Sequence, residues 1–143
     1  MRPVRETVRQ FFEVFEKEAM DPSALATCYG ETFLFAGPQG TRVIQKAAFL
    51  QMIPQRTKFF QTAGLVSSMV QVLEETRLNE HYLLVDTQWQ LRFEPPARKP
   101  LVEAMRATYL LHEQADGLRV VLQLDHEDLM QRVKAMGLLP AVE

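Results

Sequence analysis

Few residues in this sequence have wide chemical reach: three histidines, one cysteine and a short acidic run. Asp125-His126-Glu127-Asp128 has the side chains of a metal site. Consecutive residues seldom converge on one ion, however, and His81 and His112 belong to other segments. The run reads as a helix start. Asp125 is its cap, and Glu127 and Asp128 favour the positive end of the helix dipole. His126 is the member able to exchange a proton near neutral pH. Cys28 as a nucleophile needs an adjacent base and a thiolate-favouring site. The sequence offers neither, so Cys28 reads as a small apolar residue on a packed helix. Gly37-Pro38-Gln39-Gly40 poses the question of a phosphate cradle. It lacks the longer glycine spacing and the Lys-Ser/Thr of a P-loop, and Pro38 removes a backbone N–H. It reads as a turn.

The elements that must position these residues follow from periodicity. Val4, Val8, Phe11, Phe12 and Phe15 share one stripe of a first helix, with charged residues on its other faces. Asp21 can cap a second short helix with Pro22 at its first position, ending at Tyr29-Gly30, where Gly30 is a left-handed cap. Thr32–Ala36 and Thr41–Ile44 flank the glycine-proline turn as a hairpin. A third helix spans about Gln45 to Gln61, and Pro54 inside it should kink or split it. Then come four long β-prone runs, Leu65–Thr76, Tyr82–Phe93, Glu103–Glu113 and Arg119–Leu124, joined as antiparallel neighbours. A last helix, about His126 to Met136, ends at Gly137. Helices segregated to one face of an antiparallel sheet make an α+β domain, here taken as one unit over residues 1–143.

Composition excludes several classes. With 47% hydrophobic and 24% charged residues, a net charge of −2 and no low-complexity tract, the chain is neither disordered nor strongly basic. No basic block points to nucleic acid or an anionic membrane. No apolar run is long enough to span a bilayer, and the N-terminus lacks an apolar signal core, so a cytoplasmic location is expected. A single cysteine forbids an internal disulfide and any multi-cysteine zinc site. No cofactor and no metal are implied.

The order of elements resembles the nuclear-transport-factor-2-like superfamily, in its SnoaL-like and ketosteroid-isomerase-like branch. Cys28-Tyr29-Gly30-Glu31-Thr32-Phe33-Leu34-Phe35-Ala36-Gly37-Pro38 is similar to that family's passage from the second helix into the first strand. The ending VVLQLDHEDLMQRV resembles its last strand and closing helix. The resemblance implies a cone, in which a strongly curved antiparallel sheet is closed by three N-terminal helices around a deep apolar pocket, with an extra C-terminal helix. It also implies a homodimer through the outer sheet face. It does not carry over isomerase chemistry. The family's aspartate base corresponds to Gly37, its first-helix tyrosine meets only Phe11, Phe12 and Phe15, and its strand acid corresponds to about Tyr109. Proton abstraction beside a carbonyl needs such groups in reach. Positions corresponding to the polar groups of related epoxide hydrolases hold Thr87, Trp89 and Leu122.

Strand alternation then sorts the walls. Leu83, Val85, Thr87, Trp89, Leu91 and Phe93 form the inner face of one strand, opposite Asp86, Gln88 and Gln90 on its outer face. Family register favours Met105, Ala107, Tyr109 and Leu111 as inner on the next strand, with His112 on the outer face. Val120, Leu122 and Leu124 are expected inward on the last. The expected ligand pocket is Phe12, Phe15, Tyr29, Phe35 and Thr87 together with Trp89, Met105, Tyr109, Leu122 and Leu124. A one-residue slip would exchange the faces. Such a wall suits a small hydrophobic molecule oriented by one or two hydrogen bonds. Any acid–base role would fall to Tyr109, Tyr29 or His126. Two other readings stand beside it: an isomerase, cyclase or hydrolase of a hydrophobic substrate, and a non-catalytic dimerisation or partner-binding module.

Overall fold

The chain folds as a six-stranded curved, unclosed sheet with helices, seen in a computed structural model that describes residues 6–17, 22–96 and 98–138, the side chains of residues 17 and 22 excepted. Helix α1 (Glu6–Lys17) comes first because its apolar stripe seats it on the sheet. Val8, Phe12 and Phe15 are buried there. Val4 lies outside the described residues, as does Asp21 with its expected capping role. Helix α2 is a single turn, Pro22–Leu25. The expected left-handed cap at Gly30 does not form. Gly30 keeps a negative φ, because β1 (Tyr29–Gly37) has already begun and an extended strand needs no left-handed residue.

Strand β2 (Gly40–Gln45) pairs back on β1 across Pro38 and Gln39, so Gly37-Pro38-Gln39-Gly40 is a hairpin turn. Gly40 has φ 128°, open to glycine and strained for other residues. Helix α3 (Lys46–Thr62) runs unbroken through Pro54, so the expected split is absent. Buried Ile53 and Phe60 on the same helix hold it against the sheet on both sides of the proline.

Strands β3 (Leu65–Arg77), β4 (Tyr82–Phe93), β5 (Leu101–Gln114) and β6 (Gly117–Asp125) form an antiparallel meander. The strand order is β2-β1-β6-β5-β4-β3, and β1 lies parallel to β6. That parallel contact joins the N-terminal hairpin to the meander. Helix α4 (Leu129–Ala135) follows, and Gly137, at φ 70°, stops it.

Of the register shifts in the sheet, one on β6 and one in the middle of β3 set the faces near the site. On β6, Leu110 pairs with Leu122 but Leu111 pairs with Val120, which leaves Val121 as an extra residue. On β3, Val72 pairs with Thr87 but Glu74 with Asp86, which leaves Leu73 extra. An inserted residue reverses the alternation beyond it. Glu75 is thereby buried, and Arg77 on the same face meets Glu113 at 2.9 Å.

The interior divides into two clusters. One gathers Phe12, Phe15, Tyr29, Trp89 and Tyr109 under α1–α3. The other gathers Phe60, Leu91, Phe93, Met105, Leu129 and Val133 under α4 and the end of α3.

Candidate functional site

Between the two clusters lies a pocket of about 110 Å³ whose wall draws on both. Phe15, Tyr29, Trp89 and Tyr109 come from the first cluster, and Phe60, Leu91, Met105 and Leu129 from the second. Phe35 of β1 also lines it. Of the expected wall, Phe15, Tyr29, Phe35, Trp89, Met105 and Tyr109 therefore stand around this space.

Four expected wall residues do not. Phe12 is buried in the first cluster, its ring 5.1 Å from that of Tyr109, behind the wall. Thr87 is fully buried and donates its hydroxyl to the Ala107 carbonyl at 2.8 Å, which satisfies it within the sheet. Leu122 and Leu124 are turned to the outer face by the bulge at Val121. They pair with Leu110 and Thr108, while Gln123 pairs with inward-facing Tyr109.

The same bulge brings Gln123 and Asp125 inside. Asp125 is therefore not the helix cap. Asp128 caps α4, its Oδ1 accepting from the Gln131 N–H at 3.1 Å. Asp125 instead ends a part-buried polar chain. The Tyr29 hydroxyl donates to Gln123 Oε1 at 2.7 Å, and Gln123 Nε2 donates to Asp125 Oδ1 at 3.0 Å. Alternation on β6 alone could not reveal this carboxyl, because the bulge carries no glycine or other marker in the sequence.

Burial raises the Asp125 pKa above the ordinary carboxyl range, only partly offset by the Gln123 hydrogen bond and the Arg56 charge. Desolvation likewise raises both phenols, Tyr29 and Tyr109, so they remain protonated donors. The Trp89 indole N–H lies beside the Tyr109 phenol and favours its ionised form, but falls short of hydrogen-bond geometry. Trp89 Nε1 is buried without an acceptor among the described residues. Arg56 of α3 stands at the exposed rim, its guanidinium 5.2 Å from the Phe60 ring centroid.

Lys46, at the start of α3, fixes the Tyr29 end of this chain. Its ammonium donates to the Ala26 and Tyr29 carbonyls at 2.9 and 3.2 Å and pairs with Glu31 at 3.0 Å. Phe15 fixes the rest. Its ring centroid is 5.7 Å from Tyr29, 5.9 Å from Trp89 and 5.6 Å from Tyr109.

His126 is exposed and is not part of the pocket wall. Its Nε2 lies 2.8 Å from the Thr108 hydroxyl, which donates to Asp86 at 2.6 Å on the outer face. His126 therefore contacts the outer face through Thr108, and it follows Asp125 in the chain. Cys28 is buried among apolar residues. A Cβ built at Gly37, where the family's base would stand, would be in ordinary contact with the Phe35 ring at 3.7 Å and the Asp125 backbone carbonyl at 3.8 Å.

The curved sheet with a pocket on its inner face defines an NTF2-like protein. Residues 2–128 match the family described as NTF2-like protein (DUF6841), and the chain belongs to that family. Among solved structures it is similar to an NTF2-like protein of unknown function from Shewanella oneidensis MR-1. That pair has a TM-score of 0.69 at 13% identity, over 85% of this chain and 98% of the other. It is also similar to a ketosteroid isomerase-like protein from Erwinia carotovora atroseptica, with TM-score 0.60 at 14% identity over 84% and 89%. A third is a putative calcium/calmodulin-dependent protein kinase type II association domain from Thiobacillus denitrificans, with TM-score 0.61 at 19% identity over 89% and 99%. No curated protein matches the sequence.

Proposed function

We propose that this chain binds a small, largely apolar molecule in the pocket between its two core clusters. The observation that carries the reading is the Tyr29–Gln123–Asp125 hydrogen-bonded chain, set into a mainly aromatic and aliphatic wall. Polar groups are costly to bury, and a few of them converging on an apolar space are what orient a ligand. Asp125, with its raised pKa, is the group suited to give or take a proton, and the two phenols can steady an oxygen. Conversion of the ligand, if the protein catalyses one, would therefore run through Asp125.

A thermal-shift screen of apolar compounds tests this. One chemical class should raise the melting temperature of the wild-type protein and lose most of that effect in Asp125→Ala. A protein indifferent to every class would show that the space is only a packing defect.

A second reading, compatible with the first, is a homodimer through the outer sheet face. Cross-strand register aligns Val43, Leu34, Leu122, Leu110 and Leu84 in one row across five strands. Val43 and Leu34 are exposed in the monomer. A continuous apolar row on a sheet surface suits a second copy of that surface.

A further inference from the structure

Three features of the pocket bear on what would fill it, and this inference rests on reading the pocket as a ligand site. First, Trp89 is only 7% exposed, and its Nε1–H has no acceptor among the described residues. A buried donor left unpaired is destabilising, so it marks a place where an acceptor from outside is favoured. The Tyr109 hydroxyl lies beside it, and both rings are held by Phe15. Second, Arg56 sits at the rim with no carboxylate in ion-pair reach among the described residues. It rests on the Phe60 ring, which leaves its guanidinium edge available to an anion. Third, the space is about 110 Å³. That is the scale of one aromatic ring, since an apolar cavity of roughly 150 Å³ holds benzene.

We propose that the pocket takes a single-ring aromatic acid with an oxygen substituent on its far side. The ring fills the space between Phe15 and Phe60, and its carboxylate faces Arg56 at the rim. The inner oxygen accepts from the Trp89 N–H and the Tyr109 O–H, and its own hydrogen is offered to Asp125. Asp125 is the one carboxylate among the described wall residues, and the Gln123 amide already donates to it.

Trp89 is the only tryptophan of the chain, so its emission reports occupancy directly. Four probes separate the two polar contacts: 4-hydroxybenzoate, benzoate, phenol and toluene. In wild-type protein 4-hydroxybenzoate should bind tightest, with benzoate and phenol each about tenfold weaker, the equivalent of one lost polar contact. Toluene should be weakest. Arg56→Gln, a rim change that leaves the core intact, should weaken both acids about tenfold and leave phenol and toluene unchanged. Tyr109→Phe should weaken the two oxygen-bearing rings, 4-hydroxybenzoate and phenol, and spare benzoate and toluene. Toluene binding as tightly as 4-hydroxybenzoate, or acids indifferent to Arg56→Gln, would overturn the aromatic-acid assignment while the pocket still bound a ring. A Trp89 emission unmoved by all four probes would overturn both this assignment and the ligand-site reading beneath it.

Discussion

The behaviour of Asp125 follows from its surroundings. Desolvation raises its pKa, so the folded state holds the proton more tightly than the unfolded chain does. A carboxyl shifted this way contributes fully at low pH, and its contribution declines as pH rises from the ordinary carboxyl range through the folded value. Asp125→Asn keeps the acceptor for the Gln123 amide and cannot ionise. We expect the variant to melt above the wild type at pH 7 and the two curves to converge in acid, measured by melting temperature against pH. A parallel pair of curves would mean that Asp125 does not feel its burial. Tyr29 is coupled to the same chain. Tyr29→Phe leaves Gln123 Oε1 without its 2.7 Å donor and should lower stability by about 1 kcal/mol in urea unfolding.

Among the elements, the N-terminus of α4 and the turn after α3 carry separable predictions. Asp128 accepts from the Gln131 N–H, so Asp128→Ala should cost about 1 kcal/mol, the usual worth of a helix cap. Asp128 also accepts from Gln39 at the tip of the β1–β2 hairpin, at 2.7 Å, so that substitution additionally loosens the hairpin from the helix. Gly64 closes the turn from α3 to β3 at φ 93°, and a Cβ there would meet the Pro95 backbone at 2.9 Å. Its carbonyl accepts from the Glu94 N–H at 2.7 Å, which leaves little room for retreat. Gly64→Ala should therefore destabilise by about 2 kcal/mol, combining unfavourable backbone geometry with the clash. Chemical denaturation measures it, and a loss within error of zero would show that the turn can shift.

For the whole molecule, the open question is the outer sheet face. The row from Val43 to Leu84 would be covered in a dimer and wet in a monomer. Light scattering on the intact chain should give a dimer mass, and Leu122→Glu, a charge in the middle of the row, should give the monomer without lowering helix content. A wild-type monomer at high concentration would remove the dimer reading. Among the described residues no helix is long and apolar enough to cross a membrane.

The sequence by itself determined the elements and their order, because periodicity in a stretch such as Val8-Phe12-Phe15 or Leu83-Val85-Trp89 is a local property of the chain. It also put Trp89 and Asp86 on opposite faces of β4, which runs to Phe93 without interruption, while the burial of Trp89 in the fold shows which face is inner. Tertiary structure decided what local pattern could not. Val121 and Leu73 look like ordinary strand residues, yet pairing with β5 and β4 leaves each as an extra residue. The slip at Val121 exchanged Leu122 and Leu124 for Gln123 and Asp125 and gave an apolar wall its carboxyl. A bulge is a mismatch between two strands, and one strand read alone cannot contain it.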